Sequence, residues 1–299
     1  MSSPQRRSLD AHQEEELSYR IDRVIPCLAT AQSILAVEAL SLQDSGYAPH
    51  EAVDILAATN HRAYLAYAGQ RAIGFCSCLI TFWSDGPQLE IDMLGVIPEH
   101  RGQGVATAMV EQALADARKE AIRRVRAVVE VRNIASQSVF RRLGFVPGKQ
   151  QQPASSDPTS DTVQMLVYDL LNIPPHADER LPKGWRTEQD PQSHGADVWM
   201  LYDERGRHRA QAETQQVQTL SYAGLWIEAL WADTPMALQA MLDLLVREAA
   251  RRGLDEVGYL APSWAGSKGA MGAGHSISWT GWIRVGWYQI WRRHLEVVA

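Results

Sequence analysis

One stretch constrains the fold more than any other: Leu89-Glu90-Ile91-Asp92-Met93-Leu94-Gly95-Val96-Ile97-Pro98-Glu99-His100-Arg101-Gly102-Gln103-Gly104-Val105-Ala106, continued through residues 107–114. Apolar and acidic residues alternate through its first half with the period of a half-buried strand. Val105, Met109 and Ala113 then recur four apart, as on the buried face of a helix. The order is therefore strand, tight turn, helix. Glycine at 102 and 104 leaves the backbone of the turn open to close approach. The helix directly behind it aims free amide N–H groups and the positive end of its dipole at one point, and such a point holds a phosphate. A P-loop is excluded because no Lys with Ser or Thr follows the last glycine. A dinucleotide fingerprint is excluded because only two of its three glycines are present.

What remains is Arg101-x-x-Gly104-x-Ala106 behind a strand ending Val96-x-Pro98. The helix leads to a second strand at 125–131, then Asn133, then a short helix ending Phe140-Arg141-Arg142-Leu143-Gly144-Phe145. In element order this set, covering 19–171, resembles the GNAT superfamily of N-acetyltransferases. The resemblance implies an α/β (α+β) fold with a mixed central sheet flanked by helices. It implies acetyl-CoA as the acyl donor and no metal. The pyrophosphate would lie on the amides of Gln103, Gly104, Val105 and Ala106, with Gly102 in the turn and Arg101 alongside. The thioester carbonyl would meet a backbone N–H near Leu94, Gly95 and Val96, and the pantetheine arm would meet Asn133.

Glu90 and Asp92 lie two apart on the strand, so both side chains emerge on one face while Leu89, Ile91 and Met93 take the other. The same alternation also describes a solvated strand face. In the resembled fold this strand is central and lines the acceptor cleft. Glu90 stands at a spacing from Arg101 similar to the general-base glutamate of the histone-acetylating branch, and Asp92 matches an acidic acceptor-contact position of the polyamine and small-amine branches. Two carboxylates this close titrate as a coupled unit, with one proton held toward neutral pH. Glu130 resembles a glutamate of N-terminal protein acetyltransferases, although its distance to Asn133 is two residues shorter than in that pattern. Phe140 stands where the family usually has a tyrosine whose hydroxyl protonates the departing thiolate, and phenylalanine cannot do so. The acid is thus open among Ser136, Ser138, water and simple departure as thiolate. Tyr47 and His50, beside the turn-rich loop between the first two expected helices, are candidates for acceptor contact or part of a solvated connector. His61 and His100 read as surface or capping residues.

The chain of 299 residues suffices for two domains of ordinary size. The expected organisation is a polar tail at 1–18, a first domain at 19–172, a proline-containing linker at 173–184 and a second domain at 185–299. The two halves differ in composition, since nine of the ten tryptophans lie beyond residue 184. The second nonetheless repeats the first: Leu225-Trp226-Ile227-Glu228-Ala229-Leu230 can be laid on Leu89-Glu90-Ile91-Asp92-Met93-Leu94, and each is followed by a long amphipathic helix. Between strand and helix the repeat has Ala232-Asp233-Thr234-Pro235, a helix cap without glycine. A degenerate GNAT-like domain that has lost its CoA loop is therefore expected. Because two copies of the resembled fold can pack as a dimer, this chain is expected to be a monomer with an internal pseudo-dimer or a homodimer.

A formal charge of -6 with scattered arginines argues against nucleic acid. The opening residues lack an apolar signal segment and no later stretch could span a bilayer, so a cytoplasmic chain without membrane association is expected. Cys27, Cys76 and Cys78 suit neither a zinc site nor a redox pair and read as reduced core or near-core residues. The resulting expectation is an N-acetyltransferase acting on the primary amine of a small molecule. The alternatives are a non-catalytic acyl-CoA-binding or regulatory module and a protein or peptide N-terminal acetyltransferase.

Overall fold

A computed structural model describes residues 19–42, 47–83, 86–147, 162–172, 181–191, 196–262 and 281–296. The tail at 1–18, most of the linker, and the glycine run at 266–274 with Trp264 and Trp279 lie outside these residues. The first half runs β1 (Arg20–Arg23), α1 (Leu28–Ser41), α2 (Pro49–Ala57), β2 (His61–Ala68), β3 (Arg71–Trp83), β4 (Gly86–Val96), a 3-10 turn (Pro98–His100), α3 (Val105–Lys119), β5 (Arg124–Glu130), α4 (Ile134–Arg142), β6 (Val146–Pro147) and β7 (Thr162–Asp169). The second half adds β8 (Arg186–Pro191), β9 (Ala196–Tyr202), β10 (His208–Gln218), β11 (Ala223–Ala232), α5 (Pro235–Arg251), β12 (Glu256–Pro262) and β13 (Trp282–His294). The architecture is the expected mixed α/β arrangement of the GNAT fold followed by a reduced second copy.

Local chemistry accounts for most boundaries. The organising stretch folds as read: β4 passes through the glycine turn into α3, whose Val105, Met109 and Ala113 are all buried. Thr234 caps α5 by accepting from Ala237 N, and Pro235 occupies its first position. In α1 the buried stripe is Ala31, Ile34, Leu35, Val37 and Glu38, whereas Leu28 is exposed. Two expectations are corrected. Cys27 is exposed just ahead of α1, although Cys76 and Cys78 are buried free thiols as expected. His61 is buried rather than superficial, its Nε2 lying 3.1 Å from Ser77 Oγ, and burial pushes its pKa down to about 4.

The strands join in one sheet ordered β1-β2-β3-β4-β5-β13-β7-β12-β11-β10-β9-β8, with β6 beside β13. The repeat seen in the sequence reappears in the register. β4 pairs with β5 in parallel over four residues, from Gln88↔Arg124 to Ile91↔Ala127, and β11 pairs with β12 in parallel over four, from Gly224↔Glu256 to Ile227↔Tyr259. Each pairing stops at a bulge. Cys78 pairs Ile91 and Ser77 pairs Met93, leaving Asp92 as the extra residue of β4. Thr214 pairs Ile227 and Glu213 pairs Ala229, leaving Glu228 as the extra residue of β11. Beyond each bulge the parallel strands part.

The halves exchange their last strands. β13, from the end of the chain, pairs with β5 of the first half, while β7 pairs with β12 of the second, and β7 and β13 pair with each other between them. Trp291 of β13 is 1% exposed and belongs to the first core, with α3, α4 and β5, rather than to the second. The sheet is also strongly curled. In a flat sheet β5 and β11 would be about 19 Å apart, since neighbouring strands are spaced by about 4.8 Å. Yet Arg126 of β5 bonds Glu228 of β11, and Gln215 of β10 bonds both backbone polar groups of Phe82 on β3. The two halves therefore fold toward each other across a concave face, and what lies on that face comes together.

Candidate active site

The glycine turn has the predicted shape. Gly102 and Gly104 have φ of +77° and +83°, and a Cβ on Gly102 would meet nothing within 4 Å. Gly104 O accepts the first helical bond, from Ala108 N, so the amides of Val105, Ala106 and Thr107 have no helical carbonyl to bond. Gln103 turns its side chain back to Glu99 O and His100 Nδ1, away from those amides. Arg101 is tied to the backbone, donating through Nε to Val96 O and through its terminal nitrogen to Ser41 O. Its guanidinium thus joins the end of α1 to the end of β4.

Leu94, Gly95 and Val96 lie on the part of β4 that has left β5. Gly95 has a local reason to be glycine, since a Cβ there would stand 2.6 Å from Phe75 Cε1. The sequence assigns that glycine to close approach of a ligand; the structure adds close approach of Phe75. Asn133 caps α4, its Oδ1 accepting from Ser136 N. Phe140 is a core residue packed edge-to-face on Phe145 with ring centres 5.1 Å apart. Ser136 and Ser138 are half-buried on α4, and Glu130 is exposed at the end of β5. His50 is exposed on the first turn of α2. Tyr47 is committed to the seam between the halves: its hydroxyl donates to Asp255 Oδ2 at 3.3 Å and accepts from Gln218 Nε2 at 3.2 Å. Burial and the Asp255 charge push its pKa up to about 12.

Glu90 and Asp92 share the concave face, but their surroundings differ. Glu90 is ion-paired to Arg126 Nε, and Arg126 in turn donates to Glu228 Oε2 and Oε1 at 2.8 and 2.9 Å. Burial raises the Glu90 pKa while Arg126 opposes the rise. Burial also works against the Arg126 charge, but the carboxylates of Glu228 and Glu90 hold it firmly protonated. Asp92 lacks such a cation: its Oδ2 is buried and finds no hydrogen-bond partner among the described residues. Burial first, then the charges of Glu90 and Glu38, push its pKa up to about 7. The two carboxylates that look alike in the sequence are thus an ion-pair member and an uncompensated acid poised near neutrality.

Sequence reasoning missed the groups that the second half brings to this face. The turn at 219–222, between β10 and β11, reaches into the first half: Leu220 joins the first core and Ser221 Oγ lies 3.7 Å from Met93 Sδ. Thr219 shapes this turn by accepting from the amides of Ser221 and Tyr222. Tyr222 accepts a hydrogen bond from Trp226 Nε1 at 2.9 Å, and Trp226 packs in a small cluster with Val128 of β5. Met93 and Val128 both lie past the end of the β4–β5 pairing, so the turn at 219–222 reaches the edge of the opening between those strands. The only sequence trace of this was the alignment of Glu228 with Asp92.

Among the described residues, no group of three His, Cys, Asp or Glu could hold a metal ion, and no helix is long and apolar enough to cross a membrane. The acetyltransferase (GNAT) family model matches residues 33–145. No curated protein matches the sequence. Among solved structures the chain is similar to a GCN5-related N-acetyltransferase from Sphaerobacter thermophilus, at 15% identity and TM-score 0.56, over 92% of this chain and 95% of that one. It is similar to a tandem GNAT protein from the clavulanic acid biosynthesis pathway, at 13% identity and TM-score 0.51, over 93% and 98%. It is also similar to a GCN5-related glucosamine N-acetyltransferase region of a fungal multi-domain GH3 β-N-acetylglucosaminidase, at 12% identity and TM-score 0.58, over 94% of this chain and 38% of that one. At these identities the likeness is one of fold.

Proposed function

We propose that this chain, which carries an acetyltransferase domain of the GNAT family, is an acetyl-CoA-dependent N-acetyltransferase. Its acceptor is the primary amine of a small molecule, which attacks the thioester directly in a ternary complex. The observation that carries this reading is Asp92. It is the bulged residue where β4 leaves β5, its Oδ2 is buried without a hydrogen-bond partner among the described residues, and burial with the neighbouring charges pushes its pKa up to about 7. An ammonium entering the concave face finds a group able to pair with it and then to take its proton, which a general base working near neutral pH requires. Glu90, already paired with Arg126, adds negative charge that favours an incoming cation. The pyrophosphate of acetyl-CoA binds the free amides at the start of α3, and the thioester passes between β4 and β5. Its carbonyl is there polarised by an N–H of the unpaired edge at Leu94 to Val96.

In this reading 19–172 and 185–299 are two descendants of one domain, and only the first keeps a phosphate turn. The second serves the first by supplying β13, the turn at 219–222 and Glu228. The test is thiol release from acetyl-CoA with a panel of amines, together with mass detection of the acetylated product. Turnover with small amines, rising with pH through about 7 as Asp92 loses its proton, is the expected result. CoA binding without turnover on any amine would make the chain a non-catalytic acyl-CoA module. Turnover on peptide N-termini alone would make it a protein acetyltransferase.

A further inference from the structure

We infer that the second half supplies the acid that the first half lacks: the Tyr222 hydroxyl protonates the thiolate that leaves acetyl-CoA. This rests on the acetyltransferase reading above and adds to it a catalytic residue on the other half of the chain.

Position is the first argument. Direct attack requires a thioester in the opening between β4 and β5 and an amine on the concave face beside Asp92. The turn that carries Tyr222 meets Met93 through Ser221, and its partner Trp226 packs, as Val128 does, against the cluster of Val163, Leu260 and Ile290. Met93 and Val128 lie past the end of the β4–β5 pairing, so the turn and its tryptophan stand beside the opening where sulfur and amine must meet. In the first half Phe140 has no hydroxyl and lies in the core, and Ser136 and Ser138 offer only aliphatic hydroxyls, far weaker acids than a phenol.

Hydrogen-bond direction is the second. Trp226 Nε1 donates to the Tyr222 oxygen, so that oxygen already has a donor, and no described residue accepts the proton the phenol itself carries. An acid needs this arrangement. The proton is free to leave, and the indole N–H stabilises the negative charge that its departure creates.

Electrostatics supplies the order of events. Burial and the charges of Asp92, Glu256 and Glu90 hold the Tyr222 hydroxyl protonated, with Asp92 the largest of the three charges. The ammonium first loses one proton through Asp92 to water; the neutral amine then gives a second to the Asp92 carboxylate as its nitrogen bonds to the thioester carbon, and Asp92 becomes neutral. The charge that most opposed a phenolate is then gone, and Tyr222 becomes a better acid when the C–S bond breaks. The electron pair of that bond goes to sulfur, and sulfur takes the Tyr222 proton. Asp92 then returns its proton to the phenolate, directly or through water, so both groups end as they began and the products are amide and CoA thiol.

The test compares wild type, Tyr222→Phe and Trp226→Phe using acetyl-CoA and acetyl-seleno-CoA as donors. Glucosamine, putrescine and tyramine serve as probe amines. A selenol leaves readily as its anion and needs no acid. Tyr222→Phe should lose about 100-fold in kcat with acetyl-CoA, recover most of that loss with the selenoester, and bind CoA as wild type does by calorimetry. Trp226→Phe, which keeps the phenol but removes its donor, should show a smaller loss with the same recovery. Turnover of Tyr222→Phe within twofold of wild type on acetyl-CoA would overturn the inference. So would an equal loss on both donors, the mark of a structural role. If the wild-type chain turned over none of the amines with either donor, this inference would fall together with the acetyltransferase reading.

Discussion

Replacing Asp92 with asparagine should abolish most activity and at the same time stabilise the protein above neutral pH. An ordinary aspartate ionises at 3.8, and Asp92 does so at about 7. The folded state therefore holds a proton that the unfolded state has lost throughout that window. Below the unfolded value the two states are alike; as pH rises through the window the protein loses stability, and above about 7 the whole loss is present. Roughly three units at about 1.4 kcal/mol each correspond to about 4 kcal/mol. The amide cannot ionise and incurs none of it, and at the Oδ2 position it faces the same absence of a partner among the described residues as the neutral acid. For a chain of this size the gain should appear as a melting temperature higher by roughly 6 °C at pH 8, with little difference at pH 4. Thermal unfolding across pH, paired with thiol-release kinetics, measures both effects. An asparagine variant less stable than wild type at pH 8 would refute the uncompensated carboxylate, and full activity in that variant would refute its role as base.

Gly104→Glu should abolish CoA binding by calorimetry while the fold survives, because the new carboxylate would stand where the free amides meet phosphate; undiminished affinity would refute the phosphate turn. Glu228→Gln should destabilise the chain by about 3–5 kcal/mol in urea unfolding, because Arg126 loses its bidentate partner in a buried setting, and Glu228→Asp should recover part of this. Truncation after Asn172 should give an insoluble first half, since it removes β13 from beside β5 and Trp291 from the first core. Co-expression of 173–299 should restore solubility, and a soluble, CoA-binding truncated chain would show that the strand exchange is dispensable.

Much of the first half was legible because its signals are local. Alternation over Leu89 to Met93, the spacing of Val105, Met109 and Ala113, and glycine at two positive-φ positions each act within a few residues. The conformation of the phosphate turn follows from them almost without tertiary help. Glu90 and Asp92 mark the limit of that method. Alternation places both on one face, yet only the fold distinguishes them, because Arg126 lies 36 residues from Glu90 and Glu228 lies 102 residues from Arg126. Asp92 differs from Glu90 by the absence of a cation, and an absence on a buried face leaves no mark in the neighbouring sequence.

The second half was legible as a repeat but not as a contributor, and the reason lies in how a degenerate copy is used. At the place corresponding to Arg126, the second half has Gly258, over which the Trp226 indole lies; a Cβ there would meet the ring at 2.7 Å. Its bulge carboxylate, Glu228, therefore has no arginine on the neighbouring strand of its own half. The curl of the sheet brings it instead to Arg126 of the other half. Trp226 stands in register where Glu90 does, and it donates to Tyr222 of the turn that meets Met93. No glycine turn stands between β11 and α5, and Glu228 and Ser221 meet residues of the first half. The exchanged strands β7 and β13 make the two halves inseparable, and an inseparable partner can hold side chains against a foreign site with the precision that catalysis needs. The composition break at the linker reads as a boundary between two domains. In the sheet no such boundary exists, because the last strand of each half completes the other.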